Sequence, residues 1–228
     1  DSRTLYAVMS ADDAQWLSVS RDWGKTWDKS SDLPVGSYKI WIDPNSPAAD
    51  RTLLVASGNA VAVRKSGAWT HGAPLKGVNR ANGFTVGFAT DGSCVIYAAS
   101  GPGWRGDEAS VAGVFLSRDM GSSWQRIESD LVRQVPKGTG EPGLLFQTVA
   151  CCRTQPNVAY VSYKGARVTA DKKERYLGVA RTADFGATWR LVWLDGATSG
   201  PNMHNDWMSE RFGPEWGENP FHISVGHA

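Results

Sequence analysis

No stretch of this sequence is apolar over anything near the length of a membrane span, and none reads as a signal peptide. A spanning helix is therefore not expected. Asp1 rather than Met stands first, and the expectation is that a leader has been removed. Neither sign of charge prevails, with 24 Lys and Arg against 23 Asp and Glu, which argues against nucleic acid as the main partner. Cysteine is scarce, with only Cys94, Cys151 and Cys152. The adjacent pair could bridge to each other only in a strained ring. One of them bridging to Cys94 across neighbouring strands, or free buried thiols, are the remaining readings, and the second is preferred. There is no Gly-rich phosphate loop, no G-x-S-x-G elbow and no HExxH. His204 and Asp206 stand two apart and His222 and His227 five apart, and neither spacing is a zinc motif. No metal or cofactor is expected, with a structural calcium held by loop carboxylates left open.

What the sequence has in quantity is Trp, 11 residues, and Gly, 25 residues, and both recur in one phrase. Ser20-Arg21-Asp22-Trp23-Gly24-Lys25-Thr26-Trp27 returns as Ser117-Arg118-Asp119-Met120-Gly121-Ser122-Ser123-Trp124 and as Thr182-Ala183-Asp184-Phe185-Gly186-Ala187-Thr188-Trp189. The shared pattern is Ser/Thr-x-Asp-x-Gly-x-Ser/Thr-Trp. An Asp carboxylate can accept hydrogen bonds from N–H groups a few residues on, and Gly can take the positive φ that closes a tight turn. The Trp ring can fold beneath the turn while its N–H finds a partner. Each phrase follows a β-like run, so each is read as a hairpin between two strands.

The pattern resembles the Asp-box, or BNR repeat, of β-propellers, which sialidases, xyloglucanase-type glycoside hydrolases, sortilin-type receptors and a photosystem assembly factor carry. The resemblance implies architecture more than activity. It makes Asp22, Gly24, Trp27, Asp119, Gly121, Trp124, Asp184, Gly186 and Trp189 structural residues, on the face away from any active site. It also implies a secreted or periplasmic location. The early Arg-Ile-Pro of sialidases is missing, as is any Asp-Val-Gly-Gly-like phrase, so no catalytic residue of those families maps onto this sequence.

Repeats organise the whole sequence. Phrase-ending Trp residues stand at 27, 124 and 189, and Val61–Trp69 reads as an eroded phrase that keeps Gly67 and Trp69 but has lost the Asp. Four strand types recur. The first is Lys39–Ile42, Thr85–Ala89, Phe146–Ala150 and Phe221–Val225. The second is Thr4–Met9, Thr52–Ala56, Val95–Ala99 and Val158–Tyr163, whose apolar or small residues suit packing on both faces. The third enters the phrase and the fourth leaves it. The expected fold is all-β, a β-propeller with four-stranded antiparallel blades, about four in this chain. The expected repeats are 1–38, 39–84, 85–145 and 146–220, with 221–228 opening the next blade. The chain begins with a second-type strand and ends with a first-type strand. Either its termini complete one blade, or it is part of a larger propeller, and the larger propeller is preferred.

Chemistry is expected on the loops opposite the hairpins: Ser100–Ala112, Arg126–Leu145, Tyr163–Tyr176 and Leu194–Pro220. The last concentrates His204, Asp206, Trp207, Glu210 and Trp216, and Ser100–Ala112 adds Trp104, Arg105 and Asp107. Trp faces stack on sugar rings and carboxylates bond hydroxyls, while paired carboxylates can cleave a glycosidic bond. Asp206 and Glu210, with Asp107 as a third choice, are the expected acid and base. Trp104, Trp207, Trp216, His204 and Arg105 are the expected substrate contacts. Lys164–Arg175 carries five basic residues against two acidic ones and reads as a solvated charge run. The expected function is an extracytoplasmic carbohydrate-active propeller, a glycoside hydrolase or part of one, whose partners are a glycan and a second chain completing the propeller. The alternative is a non-enzymatic sortilin-like or assembly-factor-like propeller that binds a peptide or protein.

Overall fold

The computed structural model describes residues 3–34, 36–101, 111–134, 145–168 and 173–194. They are almost entirely strands, in four antiparallel sheets. The first sheet has three strands, β1 (Leu5–Ala11), β2 (Ala14–Ser20) and β3 (Asp28–Leu33). The second is β4 (Ser37–Ile42), β5 (Leu53–Ser57), β6 (Ala60–Lys65) and β7 (Ala68–His71). The third is β8 (Gly83–Phe88), β9 (Cys94–Ser100), β10 (Gly113–Ser117) and β11 (Gln125–Arg126). The fourth is β12 (Leu145–Cys151), β13 (Ala159–Val168), β14 (Lys173–Thr182) and β15 (Arg190–Leu194). Each is a simple meander in which sequence neighbours pair, which is the plan of a β-propeller blade. The first-type strand Phe221–Val225 lies outside the described residues.

The chain divides into two compact units, whose described residues lie within 3–74 and 119–123 for the first and within 75–118 and 124–194 for the second. In the first, Leu17, Val19, Leu33, Leu53 and Val55 are buried together. In the second, Tyr97, Phe146, Ile127, Leu131, Tyr163 and Trp189 anchor a larger cluster. The second-type strands β5 and β9 are buried almost throughout, as their composition predicts. Strand β1 departs from that expectation, with Leu5 and Met9 exposed, because among the described strands it has a neighbour on one side only.

The repeated phrase forms a hairpin turn each time. In the first, Asp22 Oδ1 accepts the Thr26 N–H at 2.9 Å and Oδ2 accepts the Thr26 hydroxyl at 2.7 Å. The Ser20 hydroxyl donates to Asp22 at 2.8 Å and accepts the Gly24 N–H at 2.8 Å. Asp184 and Thr182 repeat this with Thr188 and Gly186, and Asp119 binds Ser123 the same way. Gly24, Gly121 and Gly186 take φ of 85°, 88° and 86°. Trp23, Met120 and Phe185 just before them also have positive φ, 67°, 56° and 60°, which the phrase does not announce. The carboxylate clamp holds both residues of the turn in this conformation. Without the Asp, the second sheet turns over Ser66-Gly67, whose φ of 50° and 78° make a two-residue type I′ hairpin.

The clamp is also acid-sensitive. The Thr26 hydroxyl, then the Thr26 N–H, hold Asp22 at about 2 against an ordinary 3.8. The Thr188 hydroxyl and N–H likewise lower Asp184. Both carboxyls are more acidic folded than unfolded, so their contribution to stability is complete above the ordinary carboxylate value. It is lost as pH falls through the folded one. Urea midpoints should therefore decline as pH drops from 3.8 to about 2, and the double variant Asp22→Asn, Asp184→Asn should show a shallower decline.

Two features differ from the sequence reading. The stretch Arg126–Leu145 is not all loop: α1 (Ser129–Gln134) follows β11, anchored by fully buried Leu131. The described residues of the stretch Tyr163–Tyr176 are strand and not loop. Strands β13 and β14 continue through it, with Lys164 opposite Leu177 and Val168 opposite Lys173. The register sets Arg167 opposite Glu174, while Lys164, Lys173 and Arg175 stand opposite uncharged residues. Cys94, Cys151 and Cys152 are buried and form no disulfide, in line with the preferred reading.

Candidate functional site

The second unit separates its turns from its long connections. In the third sheet the turn of the repeated phrase leaves the Ser117 end of β10, and Gly113 at the other end pairs with Ser100. In the fourth, it leaves the Thr182 end of β14. Leu145, Lys164, Leu177 and Leu194 sit together at the opposite end, through the pairs Leu145–Lys164, Lys164–Leu177 and Gly178–Leu194. The two loop-bearing ends adjoin. A Cβ on Gly101 would meet Phe146 N at 3.3 Å and Leu145 Cα at 3.4 Å. Asn82 ties the same place together, donating from its side chain to Phe146 O at 2.8 Å and from its backbone to Ala99 O at 2.9 Å. Gly101, Leu145 and Leu194, where 102–110 and 195–220 begin and 135–144 ends, thus share one rim.

The root of 102–110 is braced from several sides. The Ser100 hydroxyl donates to Val111 O at 2.8 Å, and Val111 N–H donates to Gly77 O at 2.8 Å. Below it lies a carboxylate that the sequence reading missed. Glu128 is buried, with Oε1 accepting from Arg126 Nε at 2.6 Å and Oε2 from the Val114 N–H at 3.2 Å. Arg126 also donates to Ala112 O at 2.9 Å. Both Glu128 oxygens are committed, which suits a brace rather than an acid or base. Its only signal in the sequence is the Arg-x-Glu spacing of a strand, where side chains two apart share a face.

The expected catalytic residues Asp206, Glu210 and Asp107, and the expected contacts Trp104, Arg105, His204, Trp207 and Trp216, lie outside the described residues. The nine phrase residues Asp22, Gly24, Trp27, Asp119, Gly121, Trp124, Asp184, Gly186 and Trp189 sit in the hairpins. Among the described residues, no three of His, Cys, Asp and Glu gather where they could hold a metal ion, and no helix is long and apolar enough to cross a membrane.

The chain is similar to glycoside hydrolases of known structure. It aligns with the GH74 xyloglucanase from Xanthomonas campestris at 20% identity and TM-score 0.49, over 85% of this chain and 28% of that one. It aligns with an ancestral GH74 enzyme at 19% and 0.45, over 81% and 23%. YCF48 bound to D1 peptide aligns at 12% and 0.35, over 82% and 66%. These identities do not carry an activity across, and the chain spans about a quarter of the length of the two GH74 enzymes. No protein-family model matches the chain, and no curated protein matches it.

A groove of about 250 Å³ in the first unit, lined by Thr4, Tyr6, Ile42, Pro44, Ala48 and Arg51, was not foreseen. Among the described residues its lining holds no carboxylate, and the Arg51 guanidinium donates to the backbone carbonyls of Pro44 and Ser46.

Proposed function

We propose that this chain is part of a larger extracytoplasmic Asp-box propeller that hydrolyses a glycosidic bond with paired carboxylates. Its blade repeats would be 1–38, 39–84, 85–145 and 146–220, with 221–228 opening the next. The observation that supports the reading most is the common rim of Gly101, Leu145 and Leu194, away from the clamped turns. The sequence rooted there carries Trp and carboxylates together: Trp104, Arg105 and Asp107 on one connection, His204, Asp206, Trp207, Glu210 and Trp216 on another. Indole faces would stack on the sugar rings. One carboxylic acid, Asp206 or Glu210, would protonate the leaving oxygen while the other activates water or attacks the anomeric carbon. Asp107 is the third candidate.

The test is the release of reducing ends from a panel of soluble polysaccharides, xyloglucan and arabinan among them. Asp206→Asn should lower turnover by about a thousandfold or more while leaving the urea midpoint unchanged, since the loss falls on a general acid or nucleophile. Full turnover in both Asp206→Asn and Glu210→Gln would reject the assignment.

A further inference from the structure

The charged extension of β13 and β14 stands at the rim. Its base is the pair Lys164–Leu177, which lies beside Leu145 and Leu194 at the end away from the turns. Four further pairs carry the ladder outward: Gly165–Tyr176, Ala166–Arg175, Arg167–Glu174 and Val168–Lys173. Among the described residues neither β12 nor β15 runs alongside these pairs, so they form a two-stranded ribbon.

The register divides the charges of the ribbon by face. In an antiparallel ladder, residues opposite each other share a face, and so do residues two apart on one strand. Lys164, Ala166, Val168, Lys173, Arg175 and Leu177 therefore fall on one face. Arg167 and Glu174 fall together on the other, so that basic residue has an acid directly across from it. Lys164, Arg175 and Lys173 instead have Leu177, Ala166 and Val168 across from them, and no acid shares their face. The connection 169–172 adds one charge of each sign, Asp171 and Lys172.

The three basic residues form a row. Lys173 and Arg175 are two residues apart on β14, about 7 Å along the strand. Arg175 and Lys164 are diagonal neighbours across the ladder, about 7 to 8 Å apart. A small anion would meet one of them. A polymer with an acid on successive units would meet all three, and a field of one sign draws it in. Nucleic acid takes about six to ten phosphate contacts and an anionic membrane about four to eight clustered basic residues, so a row of three suits neither. The balance of 24 basic and 23 acidic residues in the chain adds nothing toward either. We propose that this face of the ribbon binds an acidic polysaccharide, one whose sugars carry carboxylates, and guides it along the rim. The inference rests on the carbohydrate reading of that rim and names the class of glycan it takes.

Affinity electrophoresis of the chain tests it, in gels holding polygalacturonate, alginate or hyaluronate, each beside its carboxyl-reduced form, with xyloglucan as a neutral reference. At least one acidic polymer should be bound about tenfold more tightly than its reduced form, and the preference should fade as salt is added. The triple variant Lys164→Gln, Lys173→Gln, Arg175→Gln should lose that preference, and Arg167→Gln, on the other face, should keep it. Circular dichroism verifies that each variant is folded. Should the triple variant not fold, Lys173→Gln and Arg175→Gln taken singly should each reduce the preference by about twofold. Binding needs no turnover, so the result does not depend on the assignment of the acid and base. Equal affinity for every acidic polymer and its reduced form would overturn the proposal and leave the carbohydrate reading standing. Binding to no polysaccharide, acidic or neutral, would overturn both. A folded triple variant that keeps the full preference would also overturn the proposal, as would tighter binding of poly-glutamate or duplex DNA than of any acidic polysaccharide.

Discussion

Gly72→Ala should destabilise the first unit by about 3 kcal/mol or more, because overpacking against backbone cannot relax as overpacking against a side-chain tip can. The φ of Gly72 is not in the left-handed region, so the cost is not conformational. It is steric. A Cβ there would stand 2.6 Å from both Gly121 O and Val61 O. Moving away breaks the Gly72 N–H bond to Val61 O or the Ala73 N–H bond to Gly121 O, each worth about 1 kcal/mol net and more once a buried carbonyl is left bare. Gly67→Ala is the control. Its φ is 78° and no atom lies within 4 Å of the added Cβ, so it should lose only about 1 to 2 kcal/mol for the left-handed conformation. Urea unfolding, with m unchanged, should rank Gly72→Ala clearly below Gly67→Ala. Equal losses would mean that the contact with Gly121 is not tight.

The turns were legible because their chemistry is local. Asp22, Ser20 and Thr26 lie within seven residues, and the clamp they form is complete without any partner from elsewhere. The strands were legible for a related reason: runs such as Cys94–Ser100 are apolar on both faces and so must be covered on both. What the sequence could not show is which face of a repeat meets a neighbour. Trp27 and Trp189 occupy the same position of the same phrase, yet one bonds its own turn and the other a carbonyl 62 residues away. Helix α1 was hidden because only tertiary contacts stabilise six residues of helix. Leu131 is buried beneath it, and Asp130 is held in its carboxylate form, first by the Trp189 N–H. The extension of β13 and β14 was hidden by its charge, which reads as loop although its backbone continues the ladder from Lys164–Leu177 to Val168–Lys173. For the site, the sequence carried the rim on which the connections stand. The separation of two carboxylates is a distance in space, and composition does not encode it.

Trp189→Ala should cost about 4 kcal/mol, at the upper part of the range for emptying a buried aromatic site. The indole packs in the main cluster of the second unit and is 4% exposed. Removing it opens a cavity beside Ile127 and leaves the carbonyl of Ile127 without the indole N–H that reaches it at 2.8 Å. The backbone of residue 189 stays held in the variant, its N–H by Asp130 at 2.7 Å and its carbonyl by Gln134 at 2.7 Å, so the loss reports on the ring. Trp189→Phe keeps most of the apolar volume but not the N–H, and should lose about 1 to 2 kcal/mol. Trp27→Ala, measured on dilute protein, should lose only about 1 kcal/mol, because its ring is 42% exposed and its N–H bonds a neighbour within the same exposed turn. Native-state hydrogen exchange reads the two units separately and should show the larger loss confined to the second. Equal losses in the two Trp→Ala variants would mean that the ring of Trp27 is as well covered as that of Trp189.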